Sequence, residues 1–171
     1  MKKTVAKRLT RSGIIAALYV VTTFAVLPVA SGAIQFRPSE ALTLLPLFFI
    51  ESVPALFIGC LIANLISGCA LLDIVFGSLI TLISALLTYL VGRFIKNNVL
   101  KIILGGFFPI VLNAFLLPII WYYVYGQLEY MYILNVSFLL ISQSVSIYVL
   151  GTALFFGIKK ITKLYPELFG N

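Results

Sequence analysis

Long apolar stretches constrain this chain more than any other feature of its sequence. Several approach or exceed the ~20 residues that a helix needs to cross a ~30 Å hydrocarbon core. Of the 171 residues, 62% are apolar and 10% are charged, so a water-soluble core could not enclose this apolar surface. Helices satisfy their own backbone hydrogen bonds in lipid. The sequence therefore predicts an all-α integral membrane protein, with one compact membrane domain over residues 1–171 and no soluble domain.

The basic residues indicate how the helices are oriented. On a soluble protein, the net charge of +7 would suggest a nucleic-acid partner. Cytoplasmic loops of membrane proteins, however, are enriched in Lys and Arg, so we expect three cytoplasmic positions and no nucleic-acid partner. All basic residues except Arg37 fall into three clusters, which are Lys2, Lys3, Lys7, Arg8 and Arg11; Arg93, Lys96 and Lys101; and Lys159, Lys160 and Lys163.

Six spans accommodate these clusters with both termini in the cytoplasm. The number of spans is ambiguous for residues 41–66, which could form one tilted helix interrupted only by Glu51. Five spans would place the central basic cluster outside, against the Lys/Arg bias, whereas a turn at Glu51 keeps all three clusters inside. The predicted spans cover residues 13–29, 39–50, 54–67, 72–91, 102–124 and 132–156.

The first span has features of a signal peptide. Basic residues precede an apolar run, and small residues follow it at 30–33. The apolar run is longer than the ~7–15 residues of a secretion signal, and the following segment is still apolar. We therefore expect the first span to be retained as a helix of the bundle.

Two opposite charges, Arg37 and Glu40, interrupt the apolar sequence. The predicted second helix, 39–50, would be about 18 Å long at 1.5 Å per residue, which is shorter than the hydrocarbon core. Its outer end should lie below the membrane surface, and both charges with it. Ionisable groups at such depth pair, line a cavity or bind a ligand. The alternatives are a helix-capping Glu40 paired with Arg37, or a ligand site.

Other polar and aromatic residues fall toward the outer ends of the predicted spans or near mid-membrane. Singly, such amides often bond between helices, and outer aromatic residues often form an interfacial belt. Together with the two charges they favour a pocket that is open to the exterior. The candidate binding residues are Glu40, Arg37, Gln35, Asp73, Asn64, Trp121, Tyr122, Asn113 and Gln143.

Some kinds of chemistry are missing from the sequence. The chain has no histidine and two cysteines, so no nitrogen–sulfur metal site can be assembled. It has no GxxxxGK[ST] phosphate-binding loop, so it cannot hydrolyse ATP by that route. No histidine base is available to activate a serine nucleophile. We therefore expect neither enzymatic activity nor a metal or cofactor.

Three motifs resemble those of the QueT family: QFRPSEALTLLP at 35–46, GCLIAN at 59–64 and LLDIVFGS at 71–78. QueT proteins are identified as substrate-binding S components of energy-coupling factor (ECF) transporters for queuosine precursors. The resemblance implies a multi-pass protein of the bacterial cytoplasmic membrane that captures its small-molecule substrate from outside. It also implies a transmembrane coupling subunit and two ATPase subunits as partners, which would supply the missing phosphate-binding loop.

The resemblance also implies a contact surface for the coupling subunit. S components use small residues near the cytoplasmic end of the first helix for this contact, which here are Gly13, Ala16, Ala17 and Val20. Small residues four apart allow close approach by another helix. From the residues alone, a helix of this chain is an equally good partner.

The substrate chemistry suggests roles for several candidates. A 7-deazaguanine presents ring N–H and exocyclic amine donors side by side, and one carboxylate can accept both. Glu40 is the first choice and Asp73 the second, and Asp73 is also suited to an aminomethyl cation. Arg37 or Gln35 could donate to the ring carbonyl. Trp121 or Tyr122 could stack on the face of the ligand ring. Asn64, Asn113 and Gln143 could hydrogen-bond the remaining polar edges of the ring.

Three other interpretations remain open. The chain could be an S component for another vitamin or nucleobase, or a stand-alone ion-coupled secondary transporter, although it shows no internal repeat of the kind common in such carriers. A membrane enzyme acting on lipid would have to rely on carboxylates and lysine.

Overall fold

The computed structural model describes residues 2–30, 35–126, 128 and 130–165. All regular structure within these ranges is helical, which confirms the predicted all-α class. The elements are α1 (Lys2–Ala25), α2 (Leu27–Ala30), a 3₁₀ segment (Pro38–Leu47), α3 (Ser52–Ile66), α4 (Leu71–Phe94), α5 (Asn98–Tyr125), α6 (Tyr132–Ser144), a π segment (Val145–Gly151) and α7 (Thr152–Leu164).

Three of the described helices are long and apolar enough to cross a bilayer. They are α4, α5 and the continuous helix Tyr132–Leu164, which α6, the π segment and α7 form together. The apolar helix α3 is shorter, with 15 residues. The total of six spans, and the cytoplasmic location of both termini, stay predictions.

The second predicted span was wrong in its helix type. The structure has a 3₁₀ helix from Pro38 to Leu47 where the sequence predicted an α-helix over 39–50. Pro46 lies inside this segment and has no N–H to donate, which weakens α-helical bonding. At ~2.0 Å per residue the segment covers about 20 Å, still less than the ~30 Å hydrocarbon core. Residues Ser39 to Leu47 are all buried, so the segment is a central element of the bundle.

Most other helices extend beyond their predicted bounds. The predicted spans ended where charged residues begin. In the structure, helical backbone hydrogen bonding continues past these basic residues. Helix α5 begins after Asn97, whose side chain accepts hydrogen bonds from two backbone N–H groups, and it ends at the left-handed Gly126. The first span is an exception at its end, because α1 stops at Ala25 and the short α2 follows.

The three basic clusters lie at one end of the bundle. The loop 95–97 joins α4 to α5 there, between residues of the central cluster. Contacts with the segment 47–51 bring the other elements to the same end: Arg11 Nη1 lies 2.9 Å from Glu51 Oε1, Gly92 packs on the Leu47 backbone, and the ring centroids of Phe155 and Phe48 are 4.8 Å apart.

The small residues of α1 divide between two faces. Ala16 packs against Gly59 of α3, where an added Cβ would lie 3.1 Å from the Ala16 carbonyl oxygen. Val20 is partly buried against the same core. Gly13 and Ala17 are exposed, and an added Cβ at Gly13 would meet no atom within 4 Å. Packing within this chain therefore accounts for Ala16 and Val20 but not for Gly13.

Candidate functional site

A polar cavity lies among the 35–40 segment, α3, α4, α5 and α6. The cavity, its mouth and the adjoining open solvent together comprise ≈ 300 Å³ of empty space. Seven of the nine predicted binding residues line it, and Trp121 and Tyr122 are the two that do not. The lining residues are Gln35, Arg37, Glu40, Cys60, Asn64, Asp73, Gly77, Thr81, Asn113, Leu117 and Gln143.

Helical spacing explains how distant sequence positions meet at the cavity. Residues four apart share a helix face, and each of three helices contributes such a row. Extending the row from the predicted Asp73 in steps of four would have found Gly77 and Thr81, which sequence reasoning missed. The rows are Cys60 and Asn64 on α3; Asp73, Gly77 and Thr81 on α4; and Asn113 and Leu117 on α5.

The Glu40 carboxylate is buried and is held by two other helices. Tyr19 of α1 donates its hydroxyl proton to Oε1 at 2.7 Å, and Asn113 of α5 donates from Nδ2 to Oε2 at 3.5 Å. Tyr19 is fully buried. Sequence reasoning missed Tyr19, because one tyrosine in an apolar helix carries no signal of its own. These contacts fix the carboxylate in the interior without using it as a local helix cap.

Arg37 is also buried and reaches another helix. Its Nη1 donates to Asn64 Oδ1 of α3 at 3.0 Å. Arg37 is itself the N-cap residue of the 3₁₀ segment, and no side-chain capping hydrogen bond forms there. Both charged side chains thus contact neighbouring helices. This favours a ligand site over the alternative in which Glu40 only caps its own helix.

Asp73 lines the cavity and is hydrogen-bonded to Trp121, which does not line it. Trp121 donates from Nε1 to Asp73 Oδ1 at 3.3 Å, and Asp73 lies in the first turn of α4. Trp121 continues the α5 row of Asn113 and Leu117, whereas Tyr122 is rotated about 100° away and is 55% exposed. The aromatic stacking face expected from the sequence is therefore not part of the cavity lining.

A family model described as QueT transporter matches residues 9–160, which include every residue that lines the cavity. The chain belongs to the QueT transporter family. Neither the curated proteins nor the solved structures gave a match. Family membership and the apolar helices identify a membrane protein with a role in transport.

Two cavity residues of this QueT-family protein have acceptor atoms without a hydrogen-bond partner in the described part of the chain. They are Oε1 of Gln35 and Oε1 of Gln143, whose side chains are 5% and 1% exposed. Gln35 also has a backbone φ of 44°, in the left-handed region that residues other than glycine and asparagine rarely adopt. Unpaired buried acceptors and backbone strain are both features of ligand sites.

The cavity residues are not arranged as a metal site. Across the described residues, no group of three or more His, Cys, Asp or Glu side chains could hold a metal ion. Cys60 is a free buried thiol, with Thr81 Oγ1 at 3.4 Å from its sulfur. The cavity instead offers carboxylates, amides and one guanidinium, groups that are able to hydrogen-bond a polar organic molecule.

Proposed function

We propose that this protein is the substrate-capturing S component of an ECF importer and that it binds a queuosine precursor from the exterior. The substrate is a 7-deazaguanine such as 7-cyano- or 7-aminomethyl-7-deazaguanine. The observation that carries the proposal is the buried Glu40 carboxylate, fixed by Tyr19 and Asn113 in a cavity away from the basic end of the bundle. Family membership supports the transport role.

The donors and acceptors of the cavity suit a guanine-like ring. Glu40 accepts the ring N–H and the exocyclic amine together, in a paired and charge-assisted geometry. Arg37 or Gln35 donates to the ring carbonyl. The amides of Asn64, Asn113 and Gln143 meet the remaining polar edges, and Leu117 supplies apolar surface for the ring face.

The exposed small residues of α1 support a contact with the coupling subunit. Gly13 and Ala17 lie on the outward face of α1, and the chain's own packing does not require glycine at residue 13. Small residues allow another helix to approach the backbone closely. We assign this exposed face of α1, with Gly13 and Ala17, to the transmembrane coupling subunit, which works with two ATPase subunits in the bacterial cytoplasmic membrane. Of the four expected contact residues, Ala16 and Val20 pack within the chain instead.

Isothermal titration calorimetry on the purified chain tests the substrate assignment. The ligands are the two 7-deazaguanines, guanine and a panel of common vitamins. We expect saturable binding of at least one 7-deazaguanine and weaker binding of guanine. Binding of a vitamin without binding of any deazapurine would contradict the substrate and would leave an S component for another compound as the better interpretation.

A further inference from the structure

Two of the three basic clusters are not neutralised by acidic side chains. The acidic residues that the structure describes are Glu40 and Asp73, which line the cavity, and Glu51, which pairs with Arg11 of the first cluster at 2.9 Å. Within the described ranges, the side chains of the other two clusters form no ion pair, and five of these six side chains are exposed. They are the central cluster, Arg93, Lys96 and Lys101, and the C-terminal cluster, Lys159, Lys160 and Lys163.

Packing around Leu47 and Phe48 brings these two clusters to neighbouring positions. An added Cβ at Gly92 would lie 2.6 Å from the Leu47 carbonyl oxygen, and the central cluster starts at the next residue. The ring centroids of Phe48 and Phe155 are 4.8 Å apart, and the C-terminal cluster starts one helical turn after Phe155. Ile102, at the start of α5, belongs to the same apolar cluster as Leu47 and Phe155. The two sets of positive charges therefore form one surface at this end of the bundle.

The helix that carries the C-terminal cluster is long enough to leave the hydrocarbon core. Tyr132–Leu164 has 33 residues, which span about 50 Å at 1.5 Å per residue, against ~40–45 Å for a bilayer with its headgroup layers. The last turns of this helix therefore lie in the headgroup layer when the helix crosses the membrane. Lysine side chains near the ends of membrane helices extend toward that layer, where lipid phosphates lie.

Exposed apolar side chains lie beside the exposed basic ones. Phe94 follows the first residue of the central cluster and is 74% exposed. On α7, Phe156 and Leu164 are 53% and 60% exposed, and they lie one helical turn before and after Lys160. A soluble anion would contact only the basic groups. A phospholipid contacts both, because its acyl chains cover the apolar side chains while its headgroup meets the positive charges.

We propose that the central and C-terminal clusters together bind an anionic phospholipid. The headgroup lies between the two clusters, and the acyl chains lie against Phe94, Phe156 and Leu164. Each basic residue near an anionic lipid surface contributes enough that the loss of one charge should weaken binding about fivefold. The surface is at the opposite end of α4 from Asp73 and requires no substrate, so this inference does not depend on the proposed function.

Native mass spectrometry of the purified chain tests the proposal with phosphatidylglycerol and phosphatidylcholine that carry the same acyl chains. The wild-type chain should bind phosphatidylglycerol at least tenfold more tightly. Lys159→Gln, Lys160→Gln and Lys163→Gln together should weaken phosphatidylglycerol at least tenfold and leave phosphatidylcholine unchanged. The matched arginine replacements of the same three lysines should keep the preference, because they keep the charge. Arg93→Gln with Lys96→Gln should also weaken phosphatidylglycerol, because the central cluster contacts the same headgroup.

Equal binding of the two lipids by the wild-type chain overturns the proposal, whether or not the variants fold. Where the triple glutamine variant fails to fold, Lys160→Gln alone replaces it, with an expected loss of about fivefold. An unchanged preference in a folded glutamine variant overturns the role of that cluster. Displacement of phosphatidylglycerol by an equal concentration of inorganic phosphate overturns the lipid assignment, since it shows a site for a free anion. A glutamine variant that keeps its lipid preference but no longer assembles with the coupling and ATPase subunits overturns it in favour of a protein contact.

Discussion

Glu40, Tyr19 and Asn113 come from three separate elements and meet through two hydrogen bonds to the Glu40 carboxylate, which lines the cavity. A carboxylate held in this way is pre-organised for a ligand, because its orientation does not have to be fixed when the ligand binds. The side chains that hold Glu40 should therefore affect binding as well as stability.

Replacement of Glu40 by glutamine should remove most ligand affinity while the protein still inserts and folds. The amide keeps the shape of the side chain but loses the negative charge and presents an NH₂ group to the ligand's donors. Hydrogen bonds to charged groups contribute about 1.5–3 kcal/mol, so the expected loss is roughly 10- to 150-fold. Calorimetry measures the affinity, and size-exclusion chromatography checks the fold. Glu51→Gln is the matched control, and unchanged affinity in Glu40→Gln would remove Glu40 from recognition.

Tyr19→Phe should lower both the melting temperature and the ligand affinity. The ring and its packing remain, but the Glu40 carboxylate loses the hydroxyl donor at 2.7 Å, so its orientation is less well fixed. The expected cost is about 1–3 kcal/mol, as for a buried acceptor that loses its partner. Thermal unfolding in detergent and calorimetry give the two values.

Tyr148→Phe is the control for the loss of a tyrosine hydroxyl. Its hydroxyl donates to the Ile103 carbonyl at 2.9 Å, and it does not line the cavity. This variant should leave ligand affinity unchanged. If Tyr19→Phe behaves in the same way, Tyr19 has no role in positioning Glu40.

At the scale of elements, close contacts at glycine residues fix where the short central segment and α1 lie. Gly92 allows α4 to touch the Leu47 backbone, where an added Cβ would lie 2.6 Å from the carbonyl oxygen. Gly59 likewise allows α3 to lie close to the backbone of α1 at Ala16. Because Tyr19 is on α1 and Glu40 is in the 3₁₀ segment, the geometry of the cavity depends on these contacts.

Gly59→Ala should destabilise the protein and disturb the site. The added methyl group would lie 2.9 Å from Tyr19 Cβ and 3.1 Å from the Ala16 carbonyl oxygen, so α1 has to move away. Overpacking of this kind costs about 1–3 kcal/mol. Gly13→Ala, with no atom within 4 Å of the new group, should be neutral or stabilising because alanine favours helix. Melting temperatures in detergent compare the two, and equal values would show that α1 and α3 are not tightly packed at Gly59.

At the scale of the whole molecule, the charged and polar groups separate toward opposite ends. The basic clusters gather near the segment 47–51, whereas Asp73 and Trp121 lie at the other ends of α4 and α5. If the basic end is cytoplasmic, as the Lys/Arg bias predicts, the cavity is reached from outside.

Cysteine labelling tests this orientation. In a background with Cys60→Ala and Cys69→Ala, Tyr130→Cys should react with a membrane-impermeant maleimide in intact cells, since it lies between α5 and α6. Lys96→Cys, between α4 and α5, should react only after the membrane is permeabilised. The reverse pattern would show the opposite orientation in the membrane.

Transport should depend on the ATPase partners. Proteoliposomes that contain only this chain should take up no substrate under a proton or sodium gradient, because the sequence shows no internal repeat of the kind common in ion-coupled carriers. ATP alone should not drive uptake either, because the sequence lacks a phosphate-binding loop. Addition of the coupling subunit, both ATPases and ATP should produce uptake. Gradient-driven uptake by the chain alone would instead favour the stand-alone ion-coupled transporter.

The sequence by itself determined the class of protein and most of the candidate site. Apolar length and the Lys/Arg clusters act through hydrophobicity and charge, which are properties of composition and spacing, so they can be read without coordinates. The charges Arg37 and Glu40 stood out because ionisable groups are rare in apolar sequence, and both line the cavity.

Only the tertiary structure decided how those residues are held. The hydrogen bonds of Tyr19 and Asn113 to Glu40 join residues 21 and 73 positions apart, and the hydrogen bond from Arg37 to Asn64 joins residues 27 positions apart. Each depends on the packing of one helix against another. Such contacts leave no periodic or compositional signal in the sequence, because they are fixed by shape and distance.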